Sequence, residues 1–345
     1  MSEEKNNSGF KSFGEFLVKV RKVCDGEIQD SRLKTAGHME TGDDSQGGFV
    51  VPEIWAEGIY NAALENAIVR PRATVLNASS DSLKVRKLVE TDRSSNIFGG
   101  ISFTWKAEAE DKEGAVSKPA LGLLELTPHK LVGSVFVSNE LEDDYGKFGE
   151  FMQLSFGRAL HFIEDDRFLW GTGANQPLGI MNAGALITPA RAGAGQVVYE
   201  DLTGMMSRLL PDSWNRAVWI INPDVINEWL SSDGVEANVR NVIDVNEHML
   251  LGFPYIVSEK AETLGTQGDV ILADFGAGHY VIADREIRVE ASRHYDSGSY
   301  GFTTDETFWR VVLRVDGQPL MTAAITPYRG ADTLSAFVAL ADYTS

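Results

Sequence analysis

The segment Ser138–Met181, SNELEDDYGKFGEFMQLSFGRALHFIEDDRFLWGTGANQPLGIM, limits the possible folds more than any other stretch. Ser138 or Asn139 can cap a helix by accepting hydrogen bonds from its first free N–H groups. Glu140, Glu142, Asp143 and Asp144 place negative charge where a helix N-terminus is positive. Phe148, Phe151, Met152, Ser155, Ala159, Phe162 and Ile163 then recur at the i, i+3, i+4 spacing of a helix that buries one stripe. Gly171 and Gly173 stop it. A helix from Lys147 to Trp170 is roughly 36 Å long. It exceeds most helices of globular domains, and other elements must lie against it as against a spine.

A chain of 345 residues can bury a large core and is long for one domain. The formal charge is −19, with no dense Lys/Arg cluster, which argues against a protein whose task is to grip phosphates. Cys24 is the single cysteine, so no internal disulfide framework exists, as suits a reducing cytoplasm. No run of about 18 apolar residues is present to span a membrane. The start, MSEEKNNSGF, lacks the apolar core of a signal peptide.

In chain order, Phe13, Phe16, Leu17 and Val20 predict one amphipathic helix, with Lys19, Arg21 and Lys22 facing elsewhere. Asp25–Gly47 is polar and Gly-rich; this arm is read either as a free terminus or as a segment packed on a neighbour. Ile54–Ala67 has helical spacing ended by Pro71. Leu83–Val89 alternates as a strand with Lys84, Arg86 and Leu88 on one face. Thr91–Gly100 reads as a turn, Ile101–Trp105 as a strand and Ala107–Ser117 as a charged excursion. Lys130–Val137 alternates again, with Leu131, Val135 and Val137 together. A hairpin this long without its own core makes sense lying across another subunit, or else as a surface hairpin.

After the spine, Leu202–Leu210 reads as a helix ended by Pro211. Ala217–Ile221 reads as a strand buried on both faces. Asn222-Pro223 caps and starts a helix carrying Val225, Ile226, Trp229 and Leu230. Tyr255–Ser258, Val270–Asp274, Ile287–Ser292 and Phe308–Val315 read as strands. Gly317 is expected to turn the chain into a last strand, Leu320–Ile325.

Six strings, in order, resemble the major capsid proteins of tailed phages with the Hong Kong 97 fold. They are Gly47-Gly48-Phe49-Val50-Val51-Pro52, the GTG–QP–GI turn after the spine, LLGFP, GDVILADF, YVIADR and the Arg310–Gly317 ending. The resemblance runs from about Gly47 to the C-terminus. It implies an α+β fold of four parts. These are an N-terminal arm (1–76), an E-loop hairpin with flanking strands (77–130), a P-domain with the spine helix (131–175 and 285–319) and an α/β A-domain (176–284 and 320–345). It implies a structural subunit, not an enzyme, that assembles as pentamers and hexamers into an icosahedral shell around double-stranded DNA. An acidic inner wall that does not hold DNA lets it pack and leave. A separate scaffolding protein, a portal and decoration proteins are the further partners implied, with synthesis in the bacterial host cytoplasm and residence in the virion capsid. Two other readings are an encapsulin-like cellular compartment and an unrelated cytosolic α/β enzyme.

The motifs of catalysis are incomplete. Gly171-Thr-Gly173 and Gly276-Ala-Gly278 lack the third glycine of a dinucleotide loop, and Ser299 has Ser297 where a nucleophile elbow needs glycine. The histidines, at 38, 129, 161, 248, 279 and 294, are scattered. His161 with Glu164 and Asp165 reads as a solvated helix face. No catalytic, cofactor-binding or metal residue is expected, and no cofactor. The resemblance also raises a covalent lock between an E-loop lysine and an asparagine, with a glutamate base. Lys118 stands where the lysine falls. Asp305-Glu306-Thr307-Phe308 offers no carboxamide, and Arg314, at the place of the base, stays protonated. A shell without isopeptide bonds is therefore expected.

Overall fold

The computed structural model describes residues 10–26, 28–33, 49–52, 55–56, 59, 67–89, 91–93, 105, 121–140, 145–231, 239, 242–292 and 306–343. The elements begin with α1 (Phe13–Cys24), β1 (Phe49–Val50), β2 (Thr74–Asn77), β3 (Leu83–Leu88), β4 (Leu121–Leu126), β5 (His129–Ser138) and the spine helix α2 (Tyr145–Trp170). They continue with α3 (Tyr199–Ser207), β6 (Val218–Ile221), α4 (Pro223–Ser231), β7 (Ile243–Asp244), β8 (Met249–Leu250) and β9 (Phe253–Val257). The last are β10 (Val270–Ala273), β11 (Tyr280–Asp284), β12 (Arg288–Ser292), β13 (Glu306–Pro319) and β14 (Phe337–Ala339). Two compact units divide the chain. One comprises Met1–Ala67, Pro128–Glu164 and Asp284–Val315; the other comprises Ile68–Thr127, Asp165–Ala283 and Asp316–Ser345.

In the first unit, Ser12 Oγ accepts from the Glu15 N–H (3.1 Å), and the Glu15 carboxylate accepts from the Lys11 N–H (2.8 Å). These bonds satisfy donors that the start of α1 leaves open. Phe13, Phe16, Leu17 and Val20 are buried as their spacing predicts. Phe10, Phe13 and Phe16 surround Trp55, with ring centroids 5.4 to 6.3 Å from it. Arg21, expected on an outer face, is also buried. The helix packs on β12 of its own chain; residues 34–48, most of the polar arm that follows it, lie outside the described residues. At Gly149 of α2 a Cβ would lie 2.7 Å from the Gly14 nitrogen, so only glycine lets the two helix backbones come this close. The sheet runs β1–β12–β13–β5, all antiparallel. Alternation in β5 turns Leu131, Val135 and Val137 inward, as expected.

The second unit is built on a mixed sheet ordered β14–β10–β6–β9–β8–β7, in which only β6 and β9 are parallel. All four residues of β6 and of β10 are buried, the pattern of strands covered on both faces. Trp219 and Trp229 fill this core, and each donates its indole N–H to a carbonyl, of Leu250 (3.1 Å) and Val197 (2.9 Å). Asn222 caps α4 by accepting from the Asp224 N–H at 2.9 Å, with Pro223 first in the helix. Strands β3 and β4 pair antiparallel from Leu83↔Leu126 to Leu88↔Leu121. Leu124 and Leu126 face a small core with Ala78, Val281 and Ala283.

The C-terminal third carries the expected strands as β12 and β13 and departs from expectation after Val315. Gly317 makes no turn: β13 runs through it to Pro319. Its missing side chain lets Tyr280 and Phe168 close over the strand, and its carbonyl accepts from the Leu178 N–H (2.8 Å). Leu320–Ile325 is not a strand; only Ile325 bridges, to Leu334. The last strand is β14, which the local pattern did not single out. The expected strand Ile101–Trp105, the excursion 107–117, most of the helix 54–67 and the loop 294–305 lie outside the described residues, apart from Trp105, which is not in a strand. No helix among the described residues is long and apolar enough to cross a membrane.

Candidate assembly surface

The turn that ends the spine helix is built on close approach. The Gly171 N–H bonds to the Arg167 carbonyl (2.8 Å) and the Gly179 N–H to the Gly171 carbonyl (2.8 Å). A Cβ on Gly171 would overlap the carbonyl oxygens of Pro177 and Arg167; one on Gly179 would overlap that of Leu169. Gly173 takes φ +79, and Asn182 Nδ2 donates to the Trp170 carbonyl (2.7 Å). Of the glycines that flagged this turn in the sequence, Gly171 is thus required by backbone contact and Gly173 by its positive φ. Gly171→Ala is expected to cost about 1–3 kcal/mol by overpacking, read as a lower urea midpoint. An unchanged midpoint would show that the turn can relax.

The spine helix buries a different stripe from the expected one. Phe148 and Met152 are buried, but Phe151, Phe162 and Ile163 are exposed, as is Leu154. Toward the C-terminal end the covered side carries Leu160, His161, Glu164, Asp165, Phe168 and Leu169. At about 100° per residue the covered side shifts round the helix along its length. His161, Glu164 and Asp165 are therefore buried rather than solvated. Asp165 is satisfied there: its oxygens accept from the Ile68 N–H (3.0 Å), the Val69 N–H (3.1 Å) and Lys260 Nζ (3.2 Å). Burial lowers the pKa of the nearby Arg72 guanidinium, and Asp165 raises it back in part.

In the first unit an apolar cleft of about 100 Å³ opens beside the spine helix. Its buried floor includes Leu160, Val311 and Leu313; its rim carries the exposed Val132, Ala159 and Ile163. Phe136 of β5 is a further half-exposed apolar side chain, packed on Phe308 with centroids 5.1 Å apart. In the second unit Leu121 and Leu123 point outward from β4. These residues were missed because alternation was read for its inward half only. The signal was there: LVGSVFV and LGLLEL carry apolar side chains in both alternate sets, as strands do when both faces end up covered.

The remaining polar groups serve the fold. Arg191 and Asp269 form a fully buried ion pair in which Arg191 Nη2 donates to both carboxylate oxygens at 2.7 Å. Asp274 pairs with Arg216 (3.0 Å) and lies 3.5 Å from His279 Nε2; burial lowers the His279 pKa, against the opposing pull of Asp274. Cys24 is partly buried, and desolvation raises its pKa, which makes it a poor nucleophile. Asn139, expected only as a helix cap, accepts from Thr307 Oγ1 (2.9 Å), and Ser138 closes β5. Lys118 lies outside the described residues.

An α+β subunit whose longest helix keeps an apolar flank in water is one made to be covered by others. The chain belongs to the phage capsid family, whose sequence profile matches residues 47–330. It is accordingly a structural capsid protein and not an enzyme. Its fold is similar to the capsid of a native GTA particle, with a TM-score of 0.58 and 17% identity over 90% of this chain and 96% of that one. It is also similar to a structure from Mycobacterium phage Adephagia (TM-score 0.56, 14% identity, 81% of this chain and 91% of that one). A third likeness is to a structure from Mycobacterium phage Bobi (TM-score 0.51, 13% identity, 94% and 99%). The fold is that of Hong Kong 97-type capsids. No curated protein matches the chain.

Proposed function

We propose that this chain is the major capsid subunit of a tailed phage, assembling as pentamers and hexamers into an icosahedral shell around double-stranded DNA. The observation that carries this is the family match across 47–330. In this reading residues 1–76 form the arm, 77–130 the E-loop hairpin, 131–175 with 285–319 the P-domain, and 176–284 with 320–345 the A-domain. The net charge of −19 supports a wall that contains DNA without binding it specifically. In this reading assembly takes place in the bacterial cytoplasm, either with a separate scaffolding protein acting in trans or with none, and a portal and decoration proteins are the further candidate partners. Purified subunits, with scaffold added where needed, are expected to sediment as closed particles visible by negative stain. Monomer alone, across salt, concentration and added scaffold, would overturn the reading.

The shell is held without isopeptide bonds. The one carboxamide noted beside Thr307, that of Asn139, is engaged by the threonine hydroxyl. Arg314 stands where a proton-accepting carboxylate is needed. Boiled denaturing gels of mature particles are expected to show one band near the subunit mass. A ladder that survives boiling and reductant but vanishes in Lys118→Ala would contradict this.

A further inference from the structure

In the second unit, two cationic side chains stand against one carboxylate oxygen where β10 leads into β11. Asp274 follows β10 directly; its side chain is buried, and its Oδ1 accepts from the Gly276 N–H at 2.9 Å. Arg216 Nη2 donates to Asp274 Oδ2 at 3.0 Å, and His279 Nε2 stands 3.5 Å from the same Oδ2. That imidazole nitrogen is buried and makes no hydrogen bond among the described residues. The two groups differ in their access to water: the Arg216 side chain is 40% exposed, that of His279 18%. Arg216 belongs to the turn 211–216, where the Arg216 and Ala217 N–H groups both donate to the Ser213 carbonyl (3.0 and 2.9 Å). Ser213 Oγ is buried without a hydrogen bond among the described residues, so it adds no anchor to this turn. The turn presents Trp214, half-exposed and edge-on to Phe253, with ring centroids 5.7 Å apart.

We propose that this cluster is a proton-operated latch: proton uptake by His279 transfers the Asp274 Oδ2 contact from Arg216 to the imidazolium and releases the turn that carries Trp214. A neutral imidazole leaves Oδ2 to Arg216. A protonated one brings a charged N–H donor to an oxygen already close, and a charge-assisted bond is about twice as strong as a neutral one. Two cations at one oxygen also repel each other. Arg216 is the one that leaves, because its exposed guanidinium passes into water more cheaply than the buried imidazolium. His279 stays, since its carbonyl accepts from the Leu320 N–H (2.8 Å). The turn before it already takes positive φ at Ala277 (+50) and Gly278 (+81). Around the imidazole, Asp274 and Asp212 favour protonation and Arg216 opposes it. On the Leu320 side the contact is apolar, and the Leu320 carbonyl accepts from Lys87 Nζ at 2.7 Å. Burial is the largest influence and holds the His279 pKa below its ordinary value. The folded chain therefore takes up this proton less readily than the unfolded one. The stability linked to His279 is complete above pH about 6.5 and declines as the pH falls below it. The latch is shut on Arg216 at neutral pH and opens in mild acid.

Hydrogen exchange of the full-length chain as unassembled subunits reads the turn directly, so the result does not depend on the shell reading. Rates are compared at about pH 7.5 and about pH 5.5, on either side of the ordinary histidine value, after correction for the intrinsic effect of pH. In the wild type the amides of Ser213, Trp214, Arg216 and Ala217 are expected to exchange about two- to fivefold faster in acid, the scale of losing one partly exposed ion pair. The amides of β6 and β10 are expected to keep their rates. His279→Gln, which cannot take up the proton, is expected to keep the slow rate at both pH values. Arg216→Gln, with the latch already open, is expected to exchange fast at both. An unchanged wild-type turn in acid would overturn the proposal. So would the same acid response in either variant, or an acceleration spread evenly through β6 and β10, which is global opening. The wild-type and Arg216→Gln rates decide the matter even where His279→Gln does not fold.

Discussion

Arg191→Leu is expected to destabilise the second unit by about 3–5 kcal/mol, because it leaves a buried carboxylate without its cation. The Arg191 and Asp269 side chains are each 0% exposed, so water cannot replace the lost partner. Arg191 also donates to the carbonyls of Ala341 (3.1 Å), Gln196 (3.1 Å) and Thr266 (3.3 Å). It thereby joins the loop before α3, the turn before β10 and the segment after β14. Replacing both members by leucine is expected to recover only part of the loss. The Ala341 and Gln196 carbonyls would lose the Arg191 donor, and the Gly265 N–H would lose the Asp269 carboxylate that accepts it at 2.9 Å. Urea unfolding at an unchanged slope measures both effects. A loss under about 1 kcal/mol for the single variant would place the pair among ordinary surface ion pairs.

Asp165→Ala is expected to cost a comparable amount, about 3–5 kcal/mol, since one side chain satisfies three donors in a dry place. The Ile68 and Val69 amides lose their acceptor, and Lys260, whose side chain is 10% exposed, loses its counter-charge. Asp165→Asn keeps the shape and one acceptor oxygen, so about 1–3 kcal/mol is expected there. Hydrogen exchange adds a local readout. The amides of Ile68 and Val69 are expected to exchange faster in Asp165→Ala than in the wild type, beyond the change in global stability. If only the global rate changes, Asp165 is not what holds that turn.

Local pattern reached the spine helix, α1, the capped start of α4, the buried strands β6 and β10 and the glycine turn after Trp170. In each, the residues that form the element are close in sequence, and the spacing that reports burial is the spacing of the element itself. The order of strings from Gly47 onward was enough to point to the capsid family. Three things were not legible locally. The side of the spine helix that is covered changes along its length, because different elements cover its two ends. A single apolar stripe was therefore the wrong template, and Asp165 was taken for a solvated acid. Gly317 looks like a turn residue until Tyr280 and Phe168 are brought against it from elsewhere in the chain. Strand β14 is short, and β10 supplies its pairing, from Ile271↔Ala339 to Ala273↔Phe337. Apolar side chains declare that they will be covered. Which partner covers them, and which charged group is buried among them, depends on contacts between residues far apart in sequence, where periodicity carries no signal.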